Sequence, residues 1–438
     1  MLKAPFSSEF DPSEEAEGSI DPLGLAPAYE RLADRLLPAV TVRMGRPRFV
    51  TAMALGACVC ASWDTEAVST DGVSPPWQVY EWFVVEAFVR AVDVFEVAPG
   101  IPGIQKVGRA IRNGRPVCAT SYLKTPTVFG FSGVFRRLAR QIGILTEDGQ
   151  LDDGGYELLT AWAKDQGLDG IVDASTGAGA TFRDGLRRAV AQGLEKGHTT
   201  PQPAAFWREI AMRLDPSRLG RKEAKVLLTQ ILSRAGPMEM IASLKEALIA
   251  QRGVDGRDAE APFLRKLIRQ SPAELRQLLT AIDAYEAFGR AITEAFDSLR
   301  HSASINGAAP IDAKEFAASS ATKSALRALG PSIARVRTHP TLLEWEQDRG
   351  SLKEALDRFE GVHDATDLFD AILSHHERVQ KAKPPNGKRA WFERARLDKV
   401  VVRAGYSLDN PPEGQGSYVH EYRIPTFSGF LADLGAYR

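Results

Sequence analysis

Eight cations stand between residues 98 and 146: Lys106, Arg109, Arg112, Arg115, Lys124, Arg136, Arg137 and Arg140. No aspartate or glutamate accompanies them. The whole chain has a formal net charge of −1, so this run concentrates positive potential that the total conceals. Guanidinium forks and ammonium groups in such a field fit the oxygens of a phosphate backbone. Tyr122, Phe129, Phe131 and Phe135 interleave with the cations, although helical spacing also suits them to a core. A second cluster, "RVQKAKPPNGKRAWFERARLDKVVVR" at 378–403, has nine Lys and Arg against two acids. Its Pro-Pro-Asn-Gly turn is expected to hold Lys388 and Arg389 at an exposed tip beside Trp391 and Phe392. There they would either stack on a single strand or leave Trp391 to plug the core.

Other residues could carry chemistry, but their spacing is weaker. In "VHDATDLFDAILSHHERVQ", His363 and Asp364 resemble part of a metal-dependent phosphohydrolase motif, and His375 and His376 follow near Asp367 and Asp370. The remaining ligands have no recognisable place, so a structural histidine pair is the expectation and no metal site is assigned. Glu81 and Glu86 lie in the apolar stretch "PPWQVYEWFVVEAFVRAVD". Glu86 and Arg90 are four apart and can pair along a helix. "DASTGAGATF" precedes a helix with Arg183, Arg187 and Arg188 and could cradle a phosphate; a loop leading into a helix is the plainer expectation. Walker-type, nucleophile-elbow and nuclease patterns are absent, so no catalytic residue and no cofactor is assigned and no reaction is expected. Cys58, Cys60 and Cys118 are too few and too irregular for a disulfide framework and suit a reducing compartment.

The elements that must position these residues are mostly helices. Apolar residues at Tyr29, Leu32, Ala33, Leu36 and Leu37 mark a first amphipathic helix. The stretch from Trp77 to Phe88 is apolar on every side, as in a helix at the middle of a domain. Leu275, Leu278, Leu279, Ile282, Tyr285, Phe288, Ile292, Phe296 and Leu299 hold one stripe for about eight turns and predict a helical spine. Ser271, Pro272 and Glu274 read as its capping signal, and Ser351 with Glu354 as another. Near the end, "DKVVVRAGYSL" and "SYVHEYRIPTF" flank "DNPPEGQG" and predict a β-hairpin before a short helix, "SGFLADLG". The expected organisation is an acidic disordered tail at 1–20 and helical domains at 21–200, 201–303 and 310–438. No apolar run reaches the ~20 residues that span a bilayer, and no signal core opens the chain; a cytoplasmic protein is expected.

The stretch "SGVFRRLARQIGILTEDGQLDDGGYELL" at 132–159 orders a basic helix, an Asp-Gly hairpin and another helix. This order resembles a winged helix-turn-helix over about 103–166, where the helix before the wing enters the major groove. Arg136, Arg137 and Arg140 would then meet phosphate, although Glu147, Asp148, Asp152 and Asp153 make the wing acidic. "GVFRRLARQIGILTEDGQL", "HHERVQKAKPPNGKRAWFE" and "HEYRIPTFSGFLADLG" together resemble uncharacterised helical proteins encoded beside helicases and nucleases in bacterial anti-phage islands. That resemblance implies a DNA-associated accessory role and carries no functional residue with it. The sequence therefore predicts a mainly α, multi-helical protein with an embedded winged-helix-like unit and a small C-terminal β-hairpin. DNA, or the other subunits of a defence or DNA-processing complex, are the expected partners, and no membrane. The nucleic-acid-binding residues expected are Arg109, Arg112, Arg115, Lys124, Arg136, Arg137, Arg140, Lys388 and Arg389. The alternatives are a protein-interaction subunit without nucleic-acid contact, and a metal-dependent phosphoesterase built on His363, Asp364 and His375.

Overall fold

Long segments with apolar residues three and four apart, punctuated by glycine and proline, fold as helices throughout the chain. The computed structural model describes residues 21–64, 66–91, 100–234, 238–306, 309–346, 351–384, 386–395, 398–412 and 417–437. The expected acidic tail at 1–20 lies outside them. In chain order the helices begin with α1 (Ala26–Leu36), α2 (Arg48–Cys60), α3 (Pro76–Arg90), α4 (Ile104–Arg112), α5 (Pro126–Phe129) and α6 (Phe131–Gln141). Next come α7 (Asp153–Gln166), α8 (Ala178–Lys196), α9 (Ala204–Arg213), α10 (Arg221–Arg234), α11 (Met238–Gln251) and α12 (Arg257–Ile268). The last are α13 (Ala273–Ile305), α14 (Ala313–Ala318), α15 (Ser320–Thr338), α16 (Pro340–Glu346), α17 (Ser351–Glu360), α18 (Ala365–Lys381) and α19 (Ile424–Asp433). Strands β1 (Phe392–Arg394) and β2 (Val400–Val402) form a two-stranded antiparallel sheet. The protein is mainly α with this one small sheet near its C-terminal end.

The chain forms two compact units, and they do not follow the expected linkers. One takes the chain up to Leu36 and then Arg257–Tyr422; the other takes Leu37–Gly256 and the residues from Arg423 onward. The expected boundary near 200 falls inside the second unit, because α10 packs on α7 across it. The expected break at 303–310 falls inside the first, because Ile311 exchanges backbone hydrogen bonds with Val400 at 2.9 and 2.8 Å.

In the first unit α13 is the spine. Its predicted stripe from Leu275 to Leu299 is buried at every position, and α15 packs along it. At 33 residues it is about 50 Å long. Its expected capping box does not form: Ser271 Oγ donates back to Leu267 O at 2.7 Å, and Pro272 occupies the N-cap. A full box instead opens α14, where Asp312 accepts from the amides of Lys314 and Glu315 and Glu315 accepts from Asp312 N.

The hairpin keeps one expected strand, β2 in "DKVVVRAGYSL", and takes its other strand from upstream, at Phe392–Arg394. Phe392 pairs with Val402, Glu393 with Val401 and Arg394 with Val400. The run "SYVHEYR" forms no strand, because buried carboxylates take its amides. Val419 N donates to Glu286 Oε2 at 2.6 Å, and Tyr422 N to Glu260 Oε2 at 2.8 Å. Helix α19 begins at Ile424, earlier than "SGFLADLG" suggests.

In the second unit α3 is the centre. Tyr80, Trp82, Phe83, Val84, Val85 and Phe88 are all buried, as an all-apolar helix requires. Helices α2, α4, α8 and α9 pack around it. Arg48, from the basic-looking loop "VRMGRPRF", is fully buried and paired with buried Glu223 at 3.0 Å. Its guanidinium also donates to the carbonyls of Arg213 and Arg218, so this cation belongs to the core.

Candidate nucleic-acid interface

Helix α4 begins at Gly103, whose φ of +74° and lack of a side chain admit the Tyr122 ring; a Cβ there would lie 2.5 Å from Tyr122 Cε2. It ends at Asn113 and Gly114, the latter at φ +68°. Val107, Gly108 and Ala110 face the core, which leaves Lys106, Arg109 and Arg112, every third residue, exposed. Arg109 and Arg112 lie in the last turn, where the helix dipole favours cations. The following loop is held by a reciprocal pair: Thr199 N donates to Val117 O at 2.8 Å, and Val117 N to Thr199 Oγ1 at 3.0 Å. Tyr122 is buried with its hydroxyl on Glu81 Oε2 at 3.0 Å. Arg115 and Lys124 project from this fixed loop and are exposed. None of Lys106, Arg109, Arg112, Arg115 and Lys124 forms an ion pair among the described residues. The expected aromatic partners Tyr122, Phe131 and Phe135 are in the core. Phe129 lies under the guanidinium of Arg43 at 4.3 Å.

The segment expected to be a reading head forms a helix, a turn and a second helix. Phe131, Val134, Phe135 and Leu138 pack inward from α6. The turn at 146–150, with Gly149 at φ +83°, is closed by a single antiparallel bridge between Leu145 and Leu151. Asp152 caps α7 by accepting from Asp153 N. Of the three α6 arginines, Arg140 bonds to this turn and Arg136 lies against it. Arg140 donates to Glu147 O and lies 3.5 Å from the Glu147 carboxylate. Arg136 packs across Gly149, its Nη2 3.1 Å from where a Cβ would be. Burial and the neighbouring Arg140 both lower the Arg136 pKa, against Glu147, which raises it. The acidic turn is thus a partner of the basic helix. Arg137 is exposed on α6. Arg136 and Arg140 are half-buried beside this turn, less open to solvent than Arg137.

Lys388 and Arg389 belong to the other unit, and both are half-buried. Lys388 N donates to Gln380 O at 2.9 Å, which folds the turn onto α18. Trp391 is buried and stacked on Tyr406 at 4.5 Å, and Phe392 lies against Phe296 at 5.6 Å. Both rings are taken by the core, so they do not offer stacking faces to a strand. Comparison with known protein families, characterised proteins and solved structures finds no match.

The remaining candidates have structural work. His375 Nε2 shares a hydrogen with Leu23 O at 2.8 Å, and Asp364 caps α18 through the amides of Thr366 and Asp367. Asp367 accepts from His363 N. Among the described residues no group of three or more His, Cys, Asp and Glu side chains could hold a metal ion. Arg183 turns back onto the carbonyls of Ile171, Val172 and Ala174, which fixes the loop before α8 and uses up the guanidinium expected to meet phosphate. Glu86 pairs with Arg90 at 2.7 Å, as the i, i+4 spacing predicts. Cys58 and Cys60 are free thiols whose burial raises their pKa, so neither is primed as a nucleophile. No helix among the described residues is long and apolar enough to cross a membrane.

The sequence places Glu81 in an apolar helix but does not show its partners. Glu81 is 3% exposed, accepts from Ser132 N at 2.7 Å and Tyr122 Oη at 3.0 Å, and burial pushes its pKa up to about 8 against those hydrogen bonds. A signal was present in Gly130. A Cβ there would lie 2.6 Å from Glu81 Oε2, so a glycine is what lets α6 start on this carboxyl.

Proposed function

We propose that the protein is a nucleic-acid-binding accessory protein that contacts the phosphate backbone through α4 and the loop after it. The observation that carries this reading is the set of five exposed cations, Lys106, Arg109, Arg112, Arg115 and Lys124, without a carboxylate partner among the described residues. Desolvating an exposed, unpaired cation against phosphate replaces solvent counterions with a fixed one, and the released counterions drive association. Backbone contacts of this kind position a duplex without reading its sequence. An accessory role in a DNA-processing defence complex is part of the proposal and rests on the resemblance noted from the sequence.

The test is a gel-shift series on a labelled duplex of about 30 base pairs, long enough to offer several phosphate contacts. The triple variant Arg109→Ala, Arg112→Ala, Arg115→Ala is expected to lose affinity by about tenfold or more at low salt. The double variant Arg136→Ala, Arg140→Ala removes charge from the turn contacts and is expected to change affinity much less. A triple variant that shifts the duplex like the wild type removes the reading.

A further inference from the structure

A cavity of about 340 Å³ opens in the second unit between α2, the start of α3, the start of α6 and the turn at 146–150. Its size falls in the range of small-molecule sites. The walls are aromatic: Trp63, Trp77, Tyr80 and Phe131. Tyr80 is held against α2, where Gly56 leaves room for its ring, and its hydroxyl donates to Ala52 O at 2.9 Å. The carboxyl groups lining the space are Glu81, Asp64 and Asp148, against one guanidinium, Arg136.

Glu81 is the unusual member. It is buried with no lysine or arginine partner among the described residues, and its neighbours are the Ser132 amide and the Tyr122 hydroxyl. The Phe131 amide also points to it. A carboxylate has about four acceptor positions, so at least one remains on a side chain that lines the cavity. A buried carboxyl without a counter-charge is costly to ionise, and a cation delivered beside it removes that cost. The faces of tryptophan and tyrosine attract the same kind of guest. An anion would meet three carboxyl groups and gain one arginine.

We propose that this cavity binds a small organic cation, an ammonium or quaternary ammonium on an apolar body, with its charge beside Glu81 and its body against Trp63, Trp77 and Tyr80. The proposal is independent of the nucleic-acid reading. Binding draws the proton from Glu81, so affinity rises with pH. The other groups facing the site are Tyr80, Cys60, Asp64, Asp148 and Arg136, with Tyr122 behind Glu81. Burial raises the Tyr80, Tyr122 and Cys60 pKa values, which keeps those groups neutral. The Arg136 guanidinium keeps its charge.

The test titrates the full chain with phenyltrimethylammonium, whose charge does not change with pH, by tryptophan fluorescence and calorimetry. Benzyl alcohol and benzoate serve as the neutral and anionic controls. The expected result is saturable binding of the cation alone, about thirtyfold tighter at pH 9 than at pH 6.5, from a carboxyl that ionises near pH 8. In Glu81→Gln the affinity falls at least about tenfold and the pH dependence disappears. Ala57→Phe, which fills the cavity from α2 and keeps the carboxyl, abolishes binding while its thermal melt stays cooperative. Equal binding of benzoate or benzyl alcohol overturns the proposal. So does cation binding that is absent, or unchanged in both variants.

Discussion

His376 sits with both ring nitrogens engaged inside the first unit: Nδ1 meets Pro22 O at 2.9 Å, and Nε2 accepts from Trp391 N at 2.8 Å. One nitrogen must donate and the other must accept, so the ring is neutral. Burial pushes its pKa down to about 4. A base whose folded pKa lies below its unfolded value binds more protons when unfolded. Its stabilisation is therefore intact above about pH 6.5 and is lost as pH falls toward 4. From this group alone, urea unfolding should show a loss on the order of 2 kcal/mol between pH 7 and pH 4.5, and His376→Gln should show a shallower acid limb. An equally steep limb in the variant would place the acid sensitivity elsewhere. At this scale the sequence was partly legible. A histidine pair inside a helical pattern reads as structural. Arg48 does not read as buried, because its partner Glu223 is far along the chain and only the fold brings them to 3.0 Å. The same reason separates Arg136 and Arg140 from Arg109 and Arg112: all four have the same side chain in the same basic run, and only tertiary packing decides which of them meets a turn.

Elements were more legible than their ends. The 33-residue α13 follows from its stripe of large apolar residues, which no other periodicity fits. Its cap was misread, because a serine hydroxyl can donate backward as readily as it accepts forward. The last β-run failed for a stronger reason. Val and Tyr favour strands, but Glu286 on α13 accepts from Val419 N, from Tyr422 Oη at 2.8 Å and from His420 Nδ1 at 2.7 Å, and so satisfies the segment without a ladder. Local propensity loses to a buried carboxylate with three donors. Glu286→Ala strands the buried Tyr422 hydroxyl and the half-buried Val419 and His420 donors and should cost on the order of 3 kcal/mol, read as a lower urea midpoint at unchanged slope. Glu286→Gln keeps an acceptor oxygen and should cost less. A Glu286→Ala protein as stable as the wild type would show that the segment is held by something else.

For the whole molecule, a net charge of −1 hides a patch. Salt bridges and carbonyl contacts absorb Arg48, Arg140 and Arg183, while α4 and its loop keep five cations in solvent. The two basic clusters of the sequence fall in different units, and among the described residues the one on α4 and its loop holds five exposed cations without an ion pair. The central claim is that these cations replace counterions on a phosphate backbone, and the salt dependence of duplex affinity measures that replacement directly. The slope of log K against log salt is about −0.9 for each phosphate neutralised, so five contacts predict about −4.5 for the wild type. The Arg109→Ala, Arg112→Ala, Arg115→Ala variant retains two and should show about −1.8. Equal slopes for the two proteins, or a wild-type slope near zero, would contradict the account.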